Sequence, residues 1–282
     1  MSHFQRLSGF AATDVGKERP NNEDALFLGI AGGSDVTGKK VELAITTENP
    51  IVMAAVADGV GGSAGGEIAS QMALDTINKQ LKQFGATFDQ GNAAPLLEEA
   101  ALEAHFQIRK EIRNKPDLFG MATTLSAIIM SSQGAWLLHV GDSRCYRFRD
   151  KELEQVSMDH SPVAALLREG KISEDEALNH PLQSYIDQAL GGEDDDFRPQ
   201  PDVIPIEMQP GDRWMLCSDG LSDSLYPKQL KALFNDLAKE DCATIGQALI
   251  DAALKASGHD NTTLAIIDIP TLAQGLVRLF RR

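Results

Sequence analysis

The chain has 282 residues, of which 43% are hydrophobic and 24% are charged, and these proportions are ordinary for a globular protein with a sizeable core. Its 41 acidic and 26 basic side chains give a formal net charge of −15. This charge argues against nucleic acid and anionic membrane surfaces as partners, because both need a basic binding face.

The cysteine content and the ends of the chain indicate a compartment. Three cysteines without a C-x-x-C pair make a disulfide framework or a structural zinc site unexpected. We recognise no signal peptide and no apolar run approaching the ~20 residues of a membrane span. We therefore expect a cytoplasmic protein without a membrane span.

Hydrophobic patterns predict strands and helices in a clustered order. Short runs rich in Val, Ile and Leu predict strands at residues 25–30, 51–57, 123–130, 135–140, 145–148, 213–217 and 264–269. Apolar residues at helical spacing predict helices at about residues 65–84, 95–113, 227–237 and 245–256. Because strands and helices do not alternate, we predict an α+β fold with layered, mainly antiparallel sheets, in a single domain over residues 1–282.

Residues 160–200 are predicted to form a subdomain of their own. Ser161 and Pro162 have the residue types of a helix N-cap and its first helical position. The segment could serve as an active-site flap. The alternative is a solvated surface excursion.

Five short acidic motifs are the most informative feature of the chain, and they occupy residues 14–24 (DVGKERPNNED), 58–62 (DGVGG), 141–144 (GDSR), 218–220 (SDG) and 260–263 (DNTT). Asp58 and Asp219 follow predicted strands, whereas Asp24 and Asp260 precede them. In antiparallel pairing, the end of one strand lies beside the start of its neighbour. The four carboxylates are therefore expected to gather at one end of the sheets.

Clustered carboxylates predict a cation site. Ionised acids packed together repel each other unless a cation neutralises them, and oxygen ligands suit Mg²⁺ or Mn²⁺. Hydrolases commonly use two such ions about 3.5–4 Å apart, which convert a bridging water into a hydroxide nucleophile. A single Asp-Gly or Asp-Asn pair usually marks only a turn, so the prediction depends on the coherent placement of all the motifs.

With residues 120–124 (GMATT) and 159–161 (DHS), the motifs resemble, in type and order, those of the metal-dependent protein phosphatases. This is the PPM or type 2C Ser/Thr family, in its compact bacterial form, and the resemblance extends from Thr13 to about Ile269. It implies a four-layer αββα sandwich, in which two stacked antiparallel sheets lie between helix pairs.

The resemblance also implies a ligand set for two Mg²⁺ or Mn²⁺ ions, consisting of Glu23, Asp24, Asp58, Gly59, Asp219 and Asp260. Asp58 would bridge both ions, and the Gly59 carbonyl would bind one of them. Glu23 and Asp24 would act directly or through water. Asp142, together with Asp219, matches a third and weaker metal site of bacterial members.

Arg19 is the expected phosphate ligand, and the resemblance makes Arg19 and Asp58 the catalytic residues. A forked guanidinium is well suited to phosphate oxygens, although an isolated arginine more often forms a surface ion pair. Residue 60 is Val60, where many eukaryotic members carry a histidine proposed as the general acid, so protonation of the leaving group is unassigned. The flap also lacks the basic stretch that often follows its His-Pro pair, here His180 and Pro181.

The implied activity is hydrolysis of phosphoserine and phosphothreonine in proteins by a metal-activated water, with a Ser/Thr kinase as regulatory counterpart and a monomer as the expected state. One alternative is a catalytically silent scaffold that binds phosphoproteins, and another is a hydrolase of small phosphoesters. Residues 33–40 nearly match a P-loop but end in Lys40, so nucleotide binding is not expected. His139 and His160 are expected to be structural, and a catalytic role for His160 stays open.

Overall fold

A computed structural model describes residues 6–60, 65–177, 180–194 and 196–271 of the chain. Its strands, in chain order, are β1 (Arg6–Asp14), β2 (Ala25–Ile30), β3 (Val41–Ala44), β4 (Ile51–Ala57), β5 (Gly59–Val60), β6 (Ala122–Thr123), β7 (Leu125–Ser131), β8 (Gly134–Val140), β9 (Arg144–Arg149), β10 (Glu152–Gln155), β11 (Leu190–Gly191), β12 (Asp202–Ile206), β13 (Arg213–Cys217) and β14 (Thr262–Asp268). The α-helices are α1 (Gly66–Phe84), α2 (Ala93–Asn114), α3 (Pro162–Arg168), α4 (Glu174–Ala177), α5 (Asp219–Ser222), α6 (Pro227–Asp236) and α7 (Cys242–Ala256). Gly61 and Gly62 of the second acidic motif lie outside the described residues.

The strands pair antiparallel in three sheets. The six-stranded sheet has the order β10-β9-β13-β14-β1-β3, and the five-stranded sheet has the order β12-β8-β7-β4-β2. A small third sheet has the order β11-β6-β5. Within the described parts of the chain, no helix has both the length and the apolar character needed to cross a bilayer.

Three hydrophobic clusters separate four layers. The first cluster lies between the five-stranded sheet and helices α1 and α2, and it includes Met53 and Ile77. The second lies between the two large sheets and includes Val52 and Leu216. The third packs α7 on the six-stranded sheet, with Ile245 as one member. The predicted four-layer αββα sandwich is therefore confirmed, and the two-sided burial of β4 explains its unbroken apolar sequence.

Strand β1 was not predicted, although it lies inside the six-stranded sheet between β14 and β3. Leu7 and Ala11 face the cluster between the sheets, whereas Phe10 faces the outer helices. Glycine and alanine occupy other positions of the strand, so its sequence shows neither clean alternation nor a strong β-branched run.

The structure also corrects the predicted bounds of one strand and one helix. The strand predicted at residues 123–130 is two strands, β6 and β7, which are interrupted at Thr124. Helix α7 begins at Cys242 rather than Ile245, because the Asp241 side chain accepts a hydrogen bond of 2.9 Å from the Thr244 N–H and caps the helix.

The segment at residues 160–200 is attached at both ends to loops that carry acidic motifs. Ser161 caps α3 through a 3.2 Å hydrogen bond from the Ala164 N–H, as its sequence predicts. At the start of the segment, the His160 N–H donates to the Gly141 carbonyl at 2.8 Å. Near its end, β11 pairs with β6, which pairs with β5 directly after Asp58.

Candidate active site

The five-stranded sheet brings two of the predicted acids together. Ala25, the first residue of β2, pairs with Ala57, the last residue of β4. Asp24, directly before β2, and Asp58, directly after β4, therefore lie at the same end of the sheet. Both side chains are half-buried at this end of the sheet.

The six-stranded sheet repeats the arrangement. Cys217, the last residue of β13, pairs with Leu264 near the start of β14. Asp219 begins α5 two residues after β13, and Asp260 lies two residues before β14. Each sheet thus contributes one acid after a strand and one acid before the antiparallel neighbour.

Ser218 joins the acids of the two sheets. Its hydroxyl donates to Asp24 Oδ2 at 2.8 Å and accepts a 3.0 Å hydrogen bond from the Thr263 N–H. Ser218 is fully buried, and its bond to Thr263 forms away from solvent. Asp24 is therefore held against the acidic end of the other sheet.

Asn261 fixes the loop that carries Arg19 and Glu23. Its side-chain oxygen accepts the Glu23 N–H at 2.7 Å, and its Nδ2 donates to the carbonyls of Val15 and Asn21 at 2.9 and 3.0 Å. The asparagine of the fifth motif thus organises the first motif, and its sequence neighbours gave no signal for this role.

The backbone of Asp58 is held by two threonines of the 120–124 motif. The Asp58 N–H donates to Thr124 Oγ1 at 3.0 Å, and the Asp58 carbonyl accepts from the Thr124 N–H and the Thr123 hydroxyl, each at 2.9 Å. A Cβ at Gly59 would lie 2.3 Å from the Gly66 carbonyl oxygen. Only glycine fits at position 59 beside the start of α1.

Asp142 lies among acids that include one residue the sequence did not single out. Burial raises the pKa of Asp142 to about 7, with the neighbouring charge of Asp219 as a further cause. Asp223, at the end of α5, has a pKa raised to about 6, again chiefly by burial and then by Asp219. Its spacing of four residues from Asp219, directly after the last residue of α5, is the signal that could have identified it.

The same electrostatic effect acts on the acids at the centre. Burial raises the pKa of Asp24 to about 7 and raises those of Asp58 and Asp219 above the usual range, and nearby carboxylates add to each effect. The interaction between these two acids acts to raise the pKa of Asp58 and to lower that of Asp219, so a proton shared by the pair is favoured on Asp58. The site therefore concentrates negative charge, which favours the binding of protons or of a cation.

Glu23 and Arg19 lie at the rim of this cluster. Burial raises the pKa of Glu23, and Glu67 adds to the increase. The Glu23 carboxylate lies against the start of α1, where a Cβ on Gly66 would meet its Oε2 at 2.7 Å. Arg19 forms an ion pair of 2.6 Å with Asp260, and about half of its side chain is exposed.

Comparison with known proteins identifies the family. A family model described as protein phosphatase 2C matches residues 40–256, which is more than half of the chain. The chain belongs to the protein phosphatase 2C family. This confirms the resemblance seen in the acidic motifs.

Similar proteins within the protein phosphatase 2C family come from bacteria. The chain is 34% identical over 259 residues to the serine/threonine protein phosphatase PstP of Mycobacterium tuberculosis. The aligned region covers 92% of this chain but 44% of PstP. It is 31% identical over 263 residues to the serine/threonine phosphatase stp of Listeria welshimeri. That aligned region covers 93% of this chain and 96% of stp. The chain thus spans less than half of PstP and nearly all of stp.

A solved structure supports the fold assignment. The catalytic domain of PstP in complex with two manganese ions superposes with a TM-score of 0.72 at 31% identity. The match covers 94% of this chain and 99% of that one.

The acids of this protein phosphatase 2C domain fit divalent cations in their chemistry. They are oxygen donors whose ionised forms are disfavoured by burial and by mutual repulsion, and a cation would relieve both effects. Among the described residues, however, no three acidic, imidazole or thiol groups are arranged to hold a metal ion as they stand. The Asp260 carboxylate is paired with Arg19 at 2.6 Å, so metal binding by Asp260 requires this side chain to exchange partners.

Proposed function

We propose that this protein is a metal-dependent serine/threonine phosphatase that hydrolyses phosphoserine and phosphothreonine in proteins. The observation that carries the proposal is the cluster of Asp24, Asp58, Asp142 and Asp219, with raised pKa values, at the end of two stacked sheets. Groups with strongly perturbed pKa values cluster at functional sites, so this arrangement favours a catalytic role. The Mycobacterium and Listeria relatives, which are named as serine/threonine phosphatases, support the same reading.

The proposed ligands of two Mg²⁺ or Mn²⁺ ions are Glu23, Asp24, Asp58, Asp219, Asp260 and the carbonyl of Gly59. Asp58 is the proposed bridging ligand, since it lies next to Asp24 across the β2–β4 pair and the charge of Asp219 acts on it. Asp142 is the proposed ligand of a third site together with Asp219, whose charge acts on it. The two manganese ions of the PstP structure support a divalent cation without deciding between the two metals.

Divalent cations at these carboxylates would polarise the phosphoryl group and lower the pKa of the attacking water. Arg19 would bind phosphate oxygens, because its guanidinium has five N–H donors in a planar fork. It lies at the open rim of the cluster, where a substrate from solvent arrives first. Its ion pair keeps the guanidinium next to Asp260 before the phosphate binds.

The proton donor to the leaving group stays unassigned. Val60 follows Gly59 and has no titratable group. His160 is bound on both ring nitrogens, by the Gly141 N–H at 3.2 Å and by Asp202 at 3.1 Å. These bonds argue for a structural role of His160, and a water can serve as the acid.

We also propose phosphorylated proteins as substrates, a Ser/Thr kinase acting on the same proteins, and a cytoplasmic monomer. The net charge of −15 supports proteins over nucleic acid as partners. The three cysteines are free and buried, which agrees with a reducing compartment.

The deciding experiment is phosphate release from a phosphothreonine peptide in Mn²⁺, Mg²⁺ or EDTA. Wild-type protein is compared with Asp219→Ala and with Asp75→Ala, a matched control at an exposed acid of α1. Turnover that requires metal and is lost only in Asp219→Ala supports the proposal. Folded wild-type protein that binds the peptide without turnover in any metal would favour the scaffold alternative.

A second substrate separates the remaining alternative. An aryl phosphate is hydrolysed by any enzyme that activates water at such a site, whereas a protein phosphatase should prefer the phosphopeptide in kcat/KM. Preference for the aryl phosphate would favour a hydrolase of small phosphoesters.

A further inference from the structure

We propose that Thr124 is a positioning residue, whose hydroxyl links the loop of Asp58 to the loop of Asp142 through Ser143. The link would hold the two acids at a fixed separation for metal binding, so this inference rests on the proposed function. It concerns two fully buried hydroxyl side chains that lie outside the proposed ligand set.

The Thr124 hydroxyl has two partners, and they differ in chemistry. It accepts the Asp58 N–H at 3.0 Å, which leaves its own proton available for the Ser143 hydroxyl at 2.7 Å. Thr124 and Ser143 are both fully buried, so water cannot replace either bond without entering the core. Ser143 directly follows Asp142 in the chain.

The Asp142 loop is in turn held on its other sides. The Ser143 carbonyl accepts from the Ser126 hydroxyl at 2.7 Å, and Ser126 also bonds to His139 at 2.8 Å. Gly141 has a φ of 101°, and a Cβ on it would lie 2.7 Å from Cγ2 of Thr124. The threonine methyl thus packs on Gly141 while its hydroxyl contacts Ser143.

The backbone geometry at Thr124 explains why the strand predicted across it is interrupted. The Thr124 N–H donates to the Asp58 carbonyl at 2.9 Å, between the short strand β6 and the longer β7. The residue therefore exchanges two hydrogen bonds with Asp58.

The two acids connected by this link interact. Asp142 is one of the charges that act on Asp58, alongside Asp219 and Asp24. Like charges in a poorly solvated site move apart unless covalent geometry and hydrogen bonds oppose the repulsion. The Thr124–Ser143 bond is a direct side-chain connection between the loops of these two acids.

The test measures Mn²⁺ binding by calorimetry, together with the thermal unfolding of each variant in EDTA. Thr124→Val keeps the shape and removes the hydroxyl, whereas Thr124→Ser keeps the hydroxyl. Ser143→Ala removes only the far end of the link. Ser131→Ala is the matched control, because this serine is 3% exposed and lies at the opposite end of β7.

We expect Thr124→Val to weaken Mn²⁺ binding by about 10- to 100-fold, the range found when groups that orient metal ligands are removed. Ser143→Ala should weaken it in the same direction, while Thr124→Ser and Ser131→Ala should bind as the wild type does. If Thr124→Val does not fold, Ser143→Ala and Thr124→Ser still decide the question.

Two results would overturn the proposal in different ways. Wild-type affinity in folded Thr124→Val and Ser143→Ala, or lost affinity in Thr124→Ser, would show that the hydroxyl link does not position the acids and would leave the phosphatase proposal intact. Failure of the wild-type protein to bind Mn²⁺ would remove both proposals.

Discussion

Arg19 and Asp260 form an ion pair of 2.6 Å although 241 residues separate them in the chain. The bond uses Nη2 of a group that has five N–H donors. The same pair therefore joins the proposed phosphate ligand to a proposed metal ligand. Arg19 therefore competes with a metal ion for the Asp260 carboxylate. In the same way, Asp260 competes with a phosphate for the Arg19 guanidinium.

The first prediction concerns Arg19→Ala. Charged hydrogen bonds contribute about 1.5–3 kcal/mol, so kcat/KM on a phosphothreonine peptide should fall by roughly 10- to 100-fold. Mn²⁺ affinity should stay equal or increase, because Asp260 loses its competing cation. Steady-state kinetics and calorimetry on the same preparation measure both effects. A loss of Mn²⁺ affinity with unchanged KM would instead make Arg19 a support of the metal site.

The second prediction concerns Asp219→Asn. This change removes one charge from the cluster while keeping the size of the side chain, so it should stabilise the metal-free protein by about 0.5–2 kcal/mol. Phosphate release should fall by a factor of about 100 or more, since a metal ligand is lost. Thermal unfolding in EDTA and phosphopeptide turnover in Mn²⁺ test the two effects.

The exposed acid Asp75 provides the control for this prediction. Asp75→Asn on α1 should change neither the stability in EDTA nor the turnover. Lower stability of Asp219→Asn in EDTA would contradict the view that repulsion among the acids dominates at this site.

The strands that lead to Asp58 and Asp219 could be predicted because each is a continuous apolar run ending in an acidic turn. Their burial on both faces removes the need for alternation, so composition and boundaries were sufficient. Strand β1 could not be found in this way, because serine, glycine and alanine interrupt its apolar positions.

The supporting residues of the site depend on tertiary contacts that spacing does not reveal. Thr124 and Ser143 meet because β7 and β8 pair, and Asn261 reaches the first motif across the sheet. The carboxylates can be recognised in the sequence because they lie in short turn motifs. The hydroxyl and amide groups that orient them cannot, because such residues occur in many unrelated contexts. Arg19 was predicted as a phosphate ligand, and its contact with Asp260 adds a partner that the motif alone does not specify.

The third prediction concerns Gly220→Ala, next to Asp219. A Cβ at Gly220 would lie 2.0 Å from the Asn261 carbonyl oxygen, so α5 and the start of β14 must separate. Overpacking of this kind costs about 1–3 kcal/mol. We expect a lower melting temperature, by about 2–4 °C for each kcal/mol, together with weaker Mn²⁺ binding.

Gly91→Ala is the matched control, because Gly91 is exposed and its nearest heavy atom is Asp89 Oδ1 at 3.3 Å. It should leave both the melting temperature and Mn²⁺ binding unchanged. Equal behaviour of the two variants would show that α5 can move away from Asn261 without cost.

The fourth prediction is a pH dependence of stability that originates at His105. This residue of α2 is 1% exposed, and its Nδ1 accepts the Gly191 N–H at 3.0 Å. Burial lowers the pKa of His105 from 6.5 to about 4, and the positive charges of Arg109 and Arg198 lower it further. The unfolded chain therefore binds more protons than the native protein between these two values.

It follows that the contribution of neutral His105 to stability is complete above about pH 6.5 and is lost as the pH falls towards 4. His105→Asn keeps an acceptor, Oδ1, without a titrating group, so it should resist this loss. Relative to that variant, the wild type should lose up to about 3 kcal/mol of unfolding free energy over the interval. Urea unfolding in EDTA at several pH values measures the difference in unfolding free energy between the two proteins. The titration of distant carboxylates contributes equally to both proteins and cancels in this difference. A difference that is independent of pH would mean that His105 is already protonated in the native state or exchanges the Gly191 bond for another partner.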